Sequence, residues 1–488
     1  MKLNKNLLFL LIILFPITIV GALYFNRNSL IKNFRQFNSL EAKLFIKKYF
    51  LPYREIDILR KSKYKSDVTI ENFQALLETM PLISLENDLR IKKQLSNLEF
   101  QKSKSAEKLG NYGRFSKLGL SLEKYKPIKD KLLRGINNPF PASGYLDQHN
   151  KNIFLLSPTG VLAYAQKNDT KLDFKQIKNN INDYINERQF KKTSLSHDEL
   201  VDRLAFSTKD LLIHENKAFI SYTNEEREDC WNTSILYSDI NYEEMNFKPL
   251  FKPSECVHSK DNVDKVFLAL QSGGRIVSLD QNNVILSTGE YRSRYLAQDK
   301  KSLMGKIIKI NINDGDYKIL SMGSRNIQGL FYDKYNNHII FTEHGPKGGD
   351  EINLLYNKDY ESDDIPNYGW PISSYGEHYS SKANKKKYPL YKSHKKYGFI
   401  EPLKYFPPGM GISEIVGIDI QKKIYAVSSL NDHGLYIVVL NNENKIDTLD
   451  RVSINERIRD LMIYEDKLYL FLEDSGSIGV INIDNLKV

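Results

Sequence analysis

The chain has 488 residues, with 70 Lys and Arg against 60 Asp and Glu and a formal net charge of +10 at pH 7. This length exceeds what one compact core usually holds, so it predicts either one large β architecture or a domain with an appendage. The positive charge does not indicate a nucleic-acid partner, because the basic residues are scattered among Asn, Asp and Glu and no Arg-rich helix occurs.

Residues 1–26 are predicted to form a signal peptide or a signal anchor. Lys2 and Lys5 precede an apolar run without charge from Asn6 to Phe25, close to the span of a bilayer core. The small residues "VGA" within this run suit cleavage, so a cleaved peptide and a retained membrane anchor both stay open. Because positive residues tend to remain cytoplasmic, we expect the rest of the chain on the extracytoplasmic, periplasmic side, either membrane-anchored or secreted.

Residues 27–137 are predicted to form a mostly helical stalk or appendage. The segments "SLEAKLFIKKYF" and "ENFQALLETMPLISLENDLRIKKQLSNLEF" carry apolar residues at spacings of three and four. Glycine is rare in this region, Lys and Glu are abundant, and nothing in it resembles a catalytic site.

Six repeats within residues 138–488 predict an all-β fold. Each repeat has a strand, a polar turn, a second apolar strand, a loop that often contains Gly, and a third strand, as in "LFYDKYNNHIIFTEHG" followed by "DEINLLY". Small antiparallel units that cannot bury both faces alone are typical of radial repetition. Residues 138–488 are therefore predicted to form a six-bladed β-propeller with functional loops on one face, and a β-sandwich is the alternative.

Cys230 and Cys256 are the two cysteines of the chain. Each lies near one end of two neighbouring strand-like segments, so in an exported protein they can form a disulfide. Two separate thiols are the alternative, and the sequence does not decide between them.

The segment "TEHGPKGGDEINLL" has two interpretations when it is taken alone. Gly348, Gly349 and Asp350 predict a tight turn between two strands. A phosphate-binding loop is excluded because no Gly-Lys-Ser/Thr sequence follows.

Five motifs in a fixed order carry a family resemblance. They are "SRNIQGLFYD", "TEHGPKGGDEINLL", "NYGWPISSYGEHY", "EPLKYFPPGMGISEI" and "RIRDLMIYEDKLYLF". From about Asn138 to the C-terminus the chain resembles the glucose/sorbosone dehydrogenase family, which comprises six-bladed propellers and includes soluble aldose dehydrogenases that use pyrroloquinoline quinone (PQQ) and calcium. The resemblance implies PQQ- and calcium-dependent oxidation of a small-molecule sugar or another alcohol.

The resemblance also implies calcium ligands. The backbone carbonyls of Gly345 and Pro346 match those that hold the calcium that clamps PQQ, and calcium prefers such oxygen ligands. Glu351 and Tyr368 match positions that bind a further calcium in some members. In this sequence "YNKDYESDDIP" lengthens the stretch between these two residues.

Four polar residues match the family's cofactor and substrate contacts. Arg325 and Asn326 match residues that contact substrate and PQQ, and a guanidinium can stabilise a reduced, anionic quinone. Arg457 and Arg459 match the paired arginines that hold the cofactor carboxylates.

The position of the family's catalytic histidine is occupied by Gln271. Gly274 and Arg275 of that motif are retained, but the residue four positions before the arginine is an amide, which cannot act as a base. His344 lies in the calcium-loop motif, where a packing role and a catalytic role both stay open.

Two functions follow from these motifs. The first is a PQQ- and calcium-dependent dehydrogenase whose base is displaced from position 271. The second is a catalytically diverged extracytoplasmic propeller that binds glycan or calcium without dehydrogenase activity. Hydrolase or lactonase chemistry has no support, because no paired carboxylates with acid-base placement occur.

Overall fold

A computed structural model describes residues 98–112, 119–127, 144–158, 160–166, 170–185, 206–360, 362, 364–379 and 387–487. The predicted signal segment and the greater part of the predicted helical region lie outside these residues. Within the described ranges, no helix has the length and apolar character needed to span a membrane.

Strands dominate the described chain, and its helices are single short turns. In chain order the strands are β1 Leu98–Lys102, β2 Glu107–Lys108, β3 Gly110–Tyr112, β4 Ser121–Pro127, β5 Tyr145–His149, β6 Asn152–Leu156, β7 Leu162–Gln166, β8 Lys171–Asn179, β9 Thr208–His214, β10 Lys217–Arg227, β11 Cys230–Asp239, β12 Glu244–Met245, β13 Lys248–Phe251, β14 Val257–His258, β15 Gly273–Asp280, β16 Asn283–Thr288, β17 Ile307–Asn311, β18 Tyr317–Ser321, β19 Ile327–Asp333, β20 His338–Glu343, β21 Asp350–Tyr356, β22 Lys404–Phe406, β23 Ile412–Asp419, β24 Ile424–Ser429, β25 Gly434–Leu440, β26 Ile446–Ser453, β27 Ile458–Tyr464, β28 Lys467–Leu472 and β29 Ser477–Asn482. The helical turns are Ile181–Asp183, Ala269–Gln271, Arg294–Gln298, Asn357–Tyr360, Lys395–Tyr397 and Asp484–Lys487.

The strands form six antiparallel units of four, which we call blades 1 to 6. Blade 1 is β5–β8, blade 2 is β9, β10, β11 and β13, blade 3 is β15–β18, blade 4 is β19–β22, blade 5 is β23–β26, and blade 6 is β27–β29 with β4. The first strands β5, β9, β15, β19, β23 and β27 contact one another in succession, and β27 contacts β5, so the ring is closed. The six-bladed propeller predicted from the repeats is confirmed and the sandwich alternative is wrong.

Six apolar clusters lie between successive blades and explain the sequence pattern. The second strand of a blade packs on both sides, so it needs a continuous buried run and not an alternating one. Strands β20 and β24 show this pattern, because every residue in both is buried.

The fourth strand of blade 6 comes from the N-terminal region. Strand β4 pairs antiparallel with β29 and so joins the beginning of the propeller to its last repeat. Leu122 of β4 is fully buried in the cluster between blades 5 and 6. Lys124 of the same strand donates to Glu456 at 2.8 Å. The prediction of a mostly helical appendage up to residue 137 is therefore wrong for its described part.

Two other N-terminal strands extend the sheets. Strand β1 lies between β4 and β8 and pairs with both, which joins the outer edges of blades 6 and 1. Strand β3 pairs with β26 at the outer edge of blade 5. The propeller therefore begins near Leu98, about forty residues before the predicted boundary at residue 138.

Four carboxylates tie the first strands of neighbouring blades together, three of them buried and that of Asp147 half-buried. Asp147, Asp210, Glu414 and Asp460 each accept a backbone N–H from the first strand of the adjacent blade, at 2.5, 2.8, 3.2 and 2.6 Å. Arg275 donates to Asp210 and Asp460 and pairs with Glu414 at 2.7 Å. One guanidinium thus faces three carboxylates, and burial raises the pKa of all four acids.

This ring of acids predicts a pH-dependent stability. Burial raises the pKa of Asp147 to about 7, so its contribution to stability is complete below about pH 4 and is lost as the pH rises through 7. We expect the free energy of unfolding of Asp147→Asn, relative to wild type, to increase by about 2 kcal/mol between pH 5 and pH 8. Denaturant unfolding at both pH values measures this. The exposed Asp314→Asn serves as control. A free energy of unfolding relative to wild type that is independent of pH in Asp147→Asn, as in the control, would contradict the prediction.

A disulfide joins Cys230 and Cys256, so the alternative of two separate thiols is wrong for this structure. It joins the first residue of β11 to Cys256, with a sequence separation of 26 residues. We expect Cys230→Ser with Cys256→Ser to lower the free energy of unfolding by about 2–4 kcal/mol, because the open loop gains entropy in the unfolded chain. Denaturant titration with and without reductant measures this: reductant should weaken wild type and leave the double variant unchanged.

Candidate functional site

Antiparallel pairing places several loops at one end of the propeller, which we call the site face. Within each blade, the start of the first strand, the end of the second and the start of the third lie at the same end of the sheet. Gln271 precedes β15, Arg325 precedes β19, Gly345 and Pro346 lie between β20 and β21, and Arg457 precedes β27. The fold thus gathers residues that are up to 186 positions apart in the sequence, since Gln271 and Arg457 lie on the same face.

Arg325 connects three of these loops. Its Nη1 donates to the backbone carbonyl of His344 at 2.6 Å. Its Nη2 donates to the side-chain oxygen of Gln271 at 2.6 Å, with the amide oriented to satisfy both of its partners. Its Cζ lies 5.6 Å from the centre of the Trp370 ring, a cation–π contact. The predicted residues Gln271 and Arg325 are therefore in direct contact.

Gln271 bridges Arg325 and Glu290. In the same orientation, the amide nitrogen of Gln271 donates to Glu290 Oε1 at 2.5 Å. All three side chains are buried. The Gln271 amide is neutral, and it links the Glu290 carboxyl group to the Arg325 guanidinium.

Glu290 has the properties of a proton acceptor. Burial raises its pKa to about 7, although Arg325 and Arg294 act in the opposite direction. Its second oxygen, Oε2, is buried and has no hydrogen-bond partner among the described residues. A carboxylate that titrates near neutral pH and has an open acceptor position suits general-base chemistry.

His344 is a weaker candidate for that role. Burial, with Arg459 and Arg325 nearby, lowers its pKa to about 4. An imidazole with so low a pKa is a poor base at neutral pH. Its Nε2 is also buried without a partner within the described residues, so His344 leaves a hydrogen-bonding position open at the site.

The loop after β20 is a tight turn locked into its surroundings. Gly349 N–H donates to the Pro346 carbonyl at 2.8 Å, which confirms the predicted turn. A Cβ on Gly345 would lie 1.6 Å from the Gly349 carbonyl oxygen. Asp350 Oδ1 accepts the Gly345 N–H, and its Oδ2 accepts three N–H groups of the loop before β23, including Gly411 at 2.7 Å. The loop is held rigid, with its carbonyls fixed in position.

Arg457 and Arg459 share one buried carboxylate. Each donates its Nε to Glu473, at 2.8 and 2.6 Å. Both guanidinium groups keep solvent access, with 24% and 16% of their side chains exposed, whereas Glu473 has none. Two cations on one anion leave a net positive charge, which suits a carboxylate ligand. Arg459 Nη1 also donates to Gln328 at 3.1 Å.

Asn326 is occupied by contacts within the fold. Its side-chain oxygen accepts Gly273 N–H at 3.0 Å and the Gln328 amide at 3.2 Å. Its amide nitrogen donates to the Leu270 carbonyl at 3.4 Å. Asn326 therefore holds the turn that carries Gln271 against blade 4, and it links that turn through Gln328 to Arg459.

The structure connects Glu351 and Tyr368 through a histidine. His394 Nδ1 donates to the Tyr368 carbonyl at 2.9 Å, and its Nε2 lies 3.4 Å from Glu351 Oε1. Burial alone would lower the pKa of His394, but Glu351 outweighs this effect and raises it. The Tyr368 hydroxyl donates to the Leu354 carbonyl. The His394 imidazole thus lies between the two residues that the family resemblance assigns to a second calcium.

Sequence reasoning missed Arg292, Arg294 and Trp370, which form a small pocket with Arg325 and Pro346 on the site face. The sequence signal for the arginines was their spacing of two positions in "GEYRSRY", after the end of a strand, and Trp370 stands in the motif "NYGWPISSYGEHY". Within the described ranges, no group of three or more His, Cys, Asp or Glu side chains is arranged to hold a metal. A carbonyl-built calcium site is of a different kind from such clusters.

Comparison with known proteins agrees with the fold. The sequence profile of the Glucose / Sorbosone dehydrogenase family matches residues 213–481. An aldose sugar dehydrogenase of Escherichia coli (strain K12) is 27% identical over 226 residues, which are 42% of this chain and 57% of that protein. An uncharacterized protein of Synechocystis sp. (strain ATCC 27184 / PCC 6803 / Kazusa) is 28% identical over 246 residues, 44% of this chain and 56% of that protein. The match thus spans little more than half the length of these relatives.

Solved structures support the propeller itself. A glucose dehydrogenase structure superposes with a TM-score of 0.53 at 19% identity, covering 71% of this chain and 96% of that one. The apo form of the soluble aldose sugar dehydrogenase from Escherichia coli gives 0.51 at 20% identity, covering 70% and 95%. At these identities the likeness concerns the fold alone.

Proposed function

This chain belongs to the glucose/sorbosone dehydrogenase family, and from that premise we propose that it oxidises a sugar or another alcohol with PQQ and calcium. The observation that carries the proposal is the cluster of unsatisfied polar atoms on the site face. Glu290 Oε2, Arg292 Nε, His344 Nε2 and Trp370 Nε1 are buried without partners among the described residues. Unpaired buried polar groups are costly, so a polar ligand is the natural partner for them.

The chain offers residues that suit PQQ, a compound with three carboxylates. Arg457 and Arg459 would bind cofactor carboxylates, because they share only Glu473 and keep solvent access. Arg325 would face a quinone oxygen. Asn326 would act mainly by fixing this surface, because its side chain is already hydrogen-bonded. When bound, PQQ supplies a two-electron acceptor for a hydride.

Gly345 and Pro346 are the proposed calcium ligands, through their backbone carbonyls. The rigid loop supports this, because the glycine contacts and Asp350 fix where these oxygens point. The Pro346 carbonyl already accepts the Gly349 N–H, and its second lone pair remains for a cation. Glu351 and Tyr368 stay a prediction as ligands of a second calcium, and the His394 bridge between them argues against it.

Glu290 is the proposed base, in place of the histidine that Gln271 replaces. Oxidation of a sugar hydroxyl breaks one C–H and one O–H bond as the carbonyl double bond forms. Glu290 Oε2 would accept the proton, and PQQ, when bound, would supply the acceptor for the hydride. The Gln271 amide holds Oε1 and leaves Oε2 for the proton.

Gln271 also favours the second candidate, a diverged propeller that binds glycan or calcium without turnover. An amide at the base position gives ligand binding without proton transfer. Reconstitution with PQQ and calcium, followed by dye reduction with a panel of aldoses, separates the two functions. We expect PQQ-dependent turnover that is lost in Arg459→Ala. Bound PQQ without turnover on any sugar would favour the diverged propeller, and absence of both PQQ binding and turnover would overturn the dehydrogenase.

We also propose an extracytoplasmic location, membrane-anchored or secreted. The disulfide between Cys230 and Cys256 supports it, because such bonds persist in oxidising compartments. The uncharged apolar segment from Asn6 to Phe25 supports export as well. Fractionation of cells that express the full chain tests this, and a protein found in the cytoplasm with reduced thiols would contradict it.

A further inference from the structure

The pocket beside Arg325 carries an excess of positive charge. Arg292, Arg294 and Arg325 line it together with Trp370 and Pro346. Among the described residues, Arg292 and Arg325 form no ion pair with a carboxylate within 4.0 Å, and Arg294 pairs with Asp264 only at 3.7 Å. Three arginines in one small pocket repel one another unless an anion joins them.

Nearby acids do not neutralise this charge. Asp264 is shared with Lys387 and with the Tyr388 hydroxyl, both at 2.7 Å. Burial raises the pKa of Glu290 to about 7, so at neutral pH it is only partly charged. Burial, together with Arg325 and Arg294, lowers the pKa of Arg292. The pocket therefore carries a positive charge at neutral pH, and the arginines that line it repel one another.

Two buried donors in the pocket lack acceptors. Arg292 Nε and Trp370 Nε1 have no hydrogen-bond partner among the described residues. A desolvated, unpaired donor costs free energy, most of all when it is charged. An incoming group with several acceptor oxygens would satisfy both the donors and the charge.

Backbone strain presents Arg292 to the pocket. Tyr291 and Arg292 both have left-handed conformations, with φ of 51° and 68°, which non-glycine residues rarely adopt in succession. The strain is held in place because Tyr291 is fully buried and its hydroxyl bonds Thr233 at 2.7 Å. The buried Tyr291 side chain thus fixes the backbone position of Arg292.

We propose that this pocket binds the anionic group of the substrate, and that the substrate is an acidic sugar bearing a carboxylate or a phosphate. The inference rests on the proposed dehydrogenase function. Arg292 and Arg294 bind the anion through their charge, and the unpaired Trp370 Nε1 donates to it. Arg325 lies between this pocket and Gln271, so an anion bound here would hold the sugar's reacting carbon near Glu290.

The cofactor's own carboxylates are the other possible source of the anion, and kinetics distinguishes the two. The test measures kcat/KM of the PQQ- and calcium-loaded enzyme for galacturonate, glucose 6-phosphate and glucose, in wild type, Arg292→Gln and Arg294→Gln. We expect at least one acidic sugar to exceed glucose by about tenfold or more. Each variant should lower the ratio of kcat/KM for that sugar to kcat/KM for glucose roughly 10- to 100-fold, with the PQQ titration midpoint within about threefold of wild type. Exposed Lys445→Gln is the matched control.

Two outcomes would overturn the proposal and leave the dehydrogenase intact. One is equal turnover of acidic and neutral sugars that both variants leave unchanged. The other is a weaker PQQ midpoint in Arg292→Gln with an unchanged sugar preference, which would assign the anion to the cofactor. If no sugar is turned over, the dehydrogenase fails, and calorimetry with galacturonate and glucose 6-phosphate still tests the pocket: binding lost in Arg292→Gln supports it, and no binding overturns it.

Discussion

Removing residues 1–128 is expected to prevent the propeller from folding, whereas removing residues 1–94 is expected to leave it folded. One compact unit begins at Leu95, and the described strands that begin at Leu98 belong to the propeller sheets. Without β4, strand β29 loses its partner, and the apolar cluster between blades 5 and 6 loses Leu122. An open edge of this kind exposes unpaired backbone groups and favours aggregation.

A point variant separates the loss of the strand from the loss of chain length. Leu122→Asp places a charge in a fully buried position, and we expect the free energy of unfolding to fall by about 3–5 kcal/mol. The exposed Lys126→Asp on the same strand is the control. Circular dichroism and denaturant titration measure both changes. A soluble, cooperatively unfolding chain without residues 1–128 would contradict this account of blade 6.

Glu290→Gln is expected to lower kcat/KM of the reconstituted enzyme roughly 10²- to 10⁴-fold, because it removes the proposed base. Binding of PQQ should change less than about threefold, since the amide keeps the shape of the carboxyl group. In wild type, kcat/KM should rise with pH through the Glu290 pKa of about 7, because only the ionised carboxylate accepts a proton. In the variant this step should disappear.

Two further variants make the test of the base specific. Asp147→Asn removes another acid whose pKa is raised to about 7 but which lies in the ring between blades, so it should leave kcat/KM nearly unchanged. Gln271→His in the Glu290→Gln background places an imidazole beside Arg325 and should restore part of the activity. Full activity in Glu290→Gln would move the search for the base to His344.

The repeats predicted the propeller because each blade carries its own buried second strand, and that pattern is local. Strand β4 was missed for a physical reason. Its apolar partners lie in blades more than 300 residues later in the chain, as the shared cluster of Leu122 and Leu468 shows. Its Lys and Glu residues resemble those of an exposed segment. The alternation "LGLSL", which runs into the start of β4, was the available signal, but the surrounding helical spacing and charge obscured it.

The site was predictable where a motif fixes a backbone loop and less so where side chains converge from different blades. The contact of Gln271 with Arg325 agrees with the motif order. The sharing of Glu473 by Arg457 and Arg459, the His394 bridge and the arginine pocket all depend on tertiary placement. The local sequence does not indicate which acid pairs with which arginine.

The dehydrogenase proposal is tested by the absorbance of PQQ bound to the calcium-loaded protein, followed under anaerobic conditions after a sugar is added without dye. We expect the spectrum of the oxidised quinone to be lost, with about one equivalent of oxidised sugar per bound PQQ, for at least one aldose or acidic sugar. We expect this loss to be at least a hundredfold slower in Glu290→Gln. Stable binding of oxidised PQQ that no sugar reduces, or no binding of PQQ at all, would contradict the claim that this propeller is a dehydrogenase.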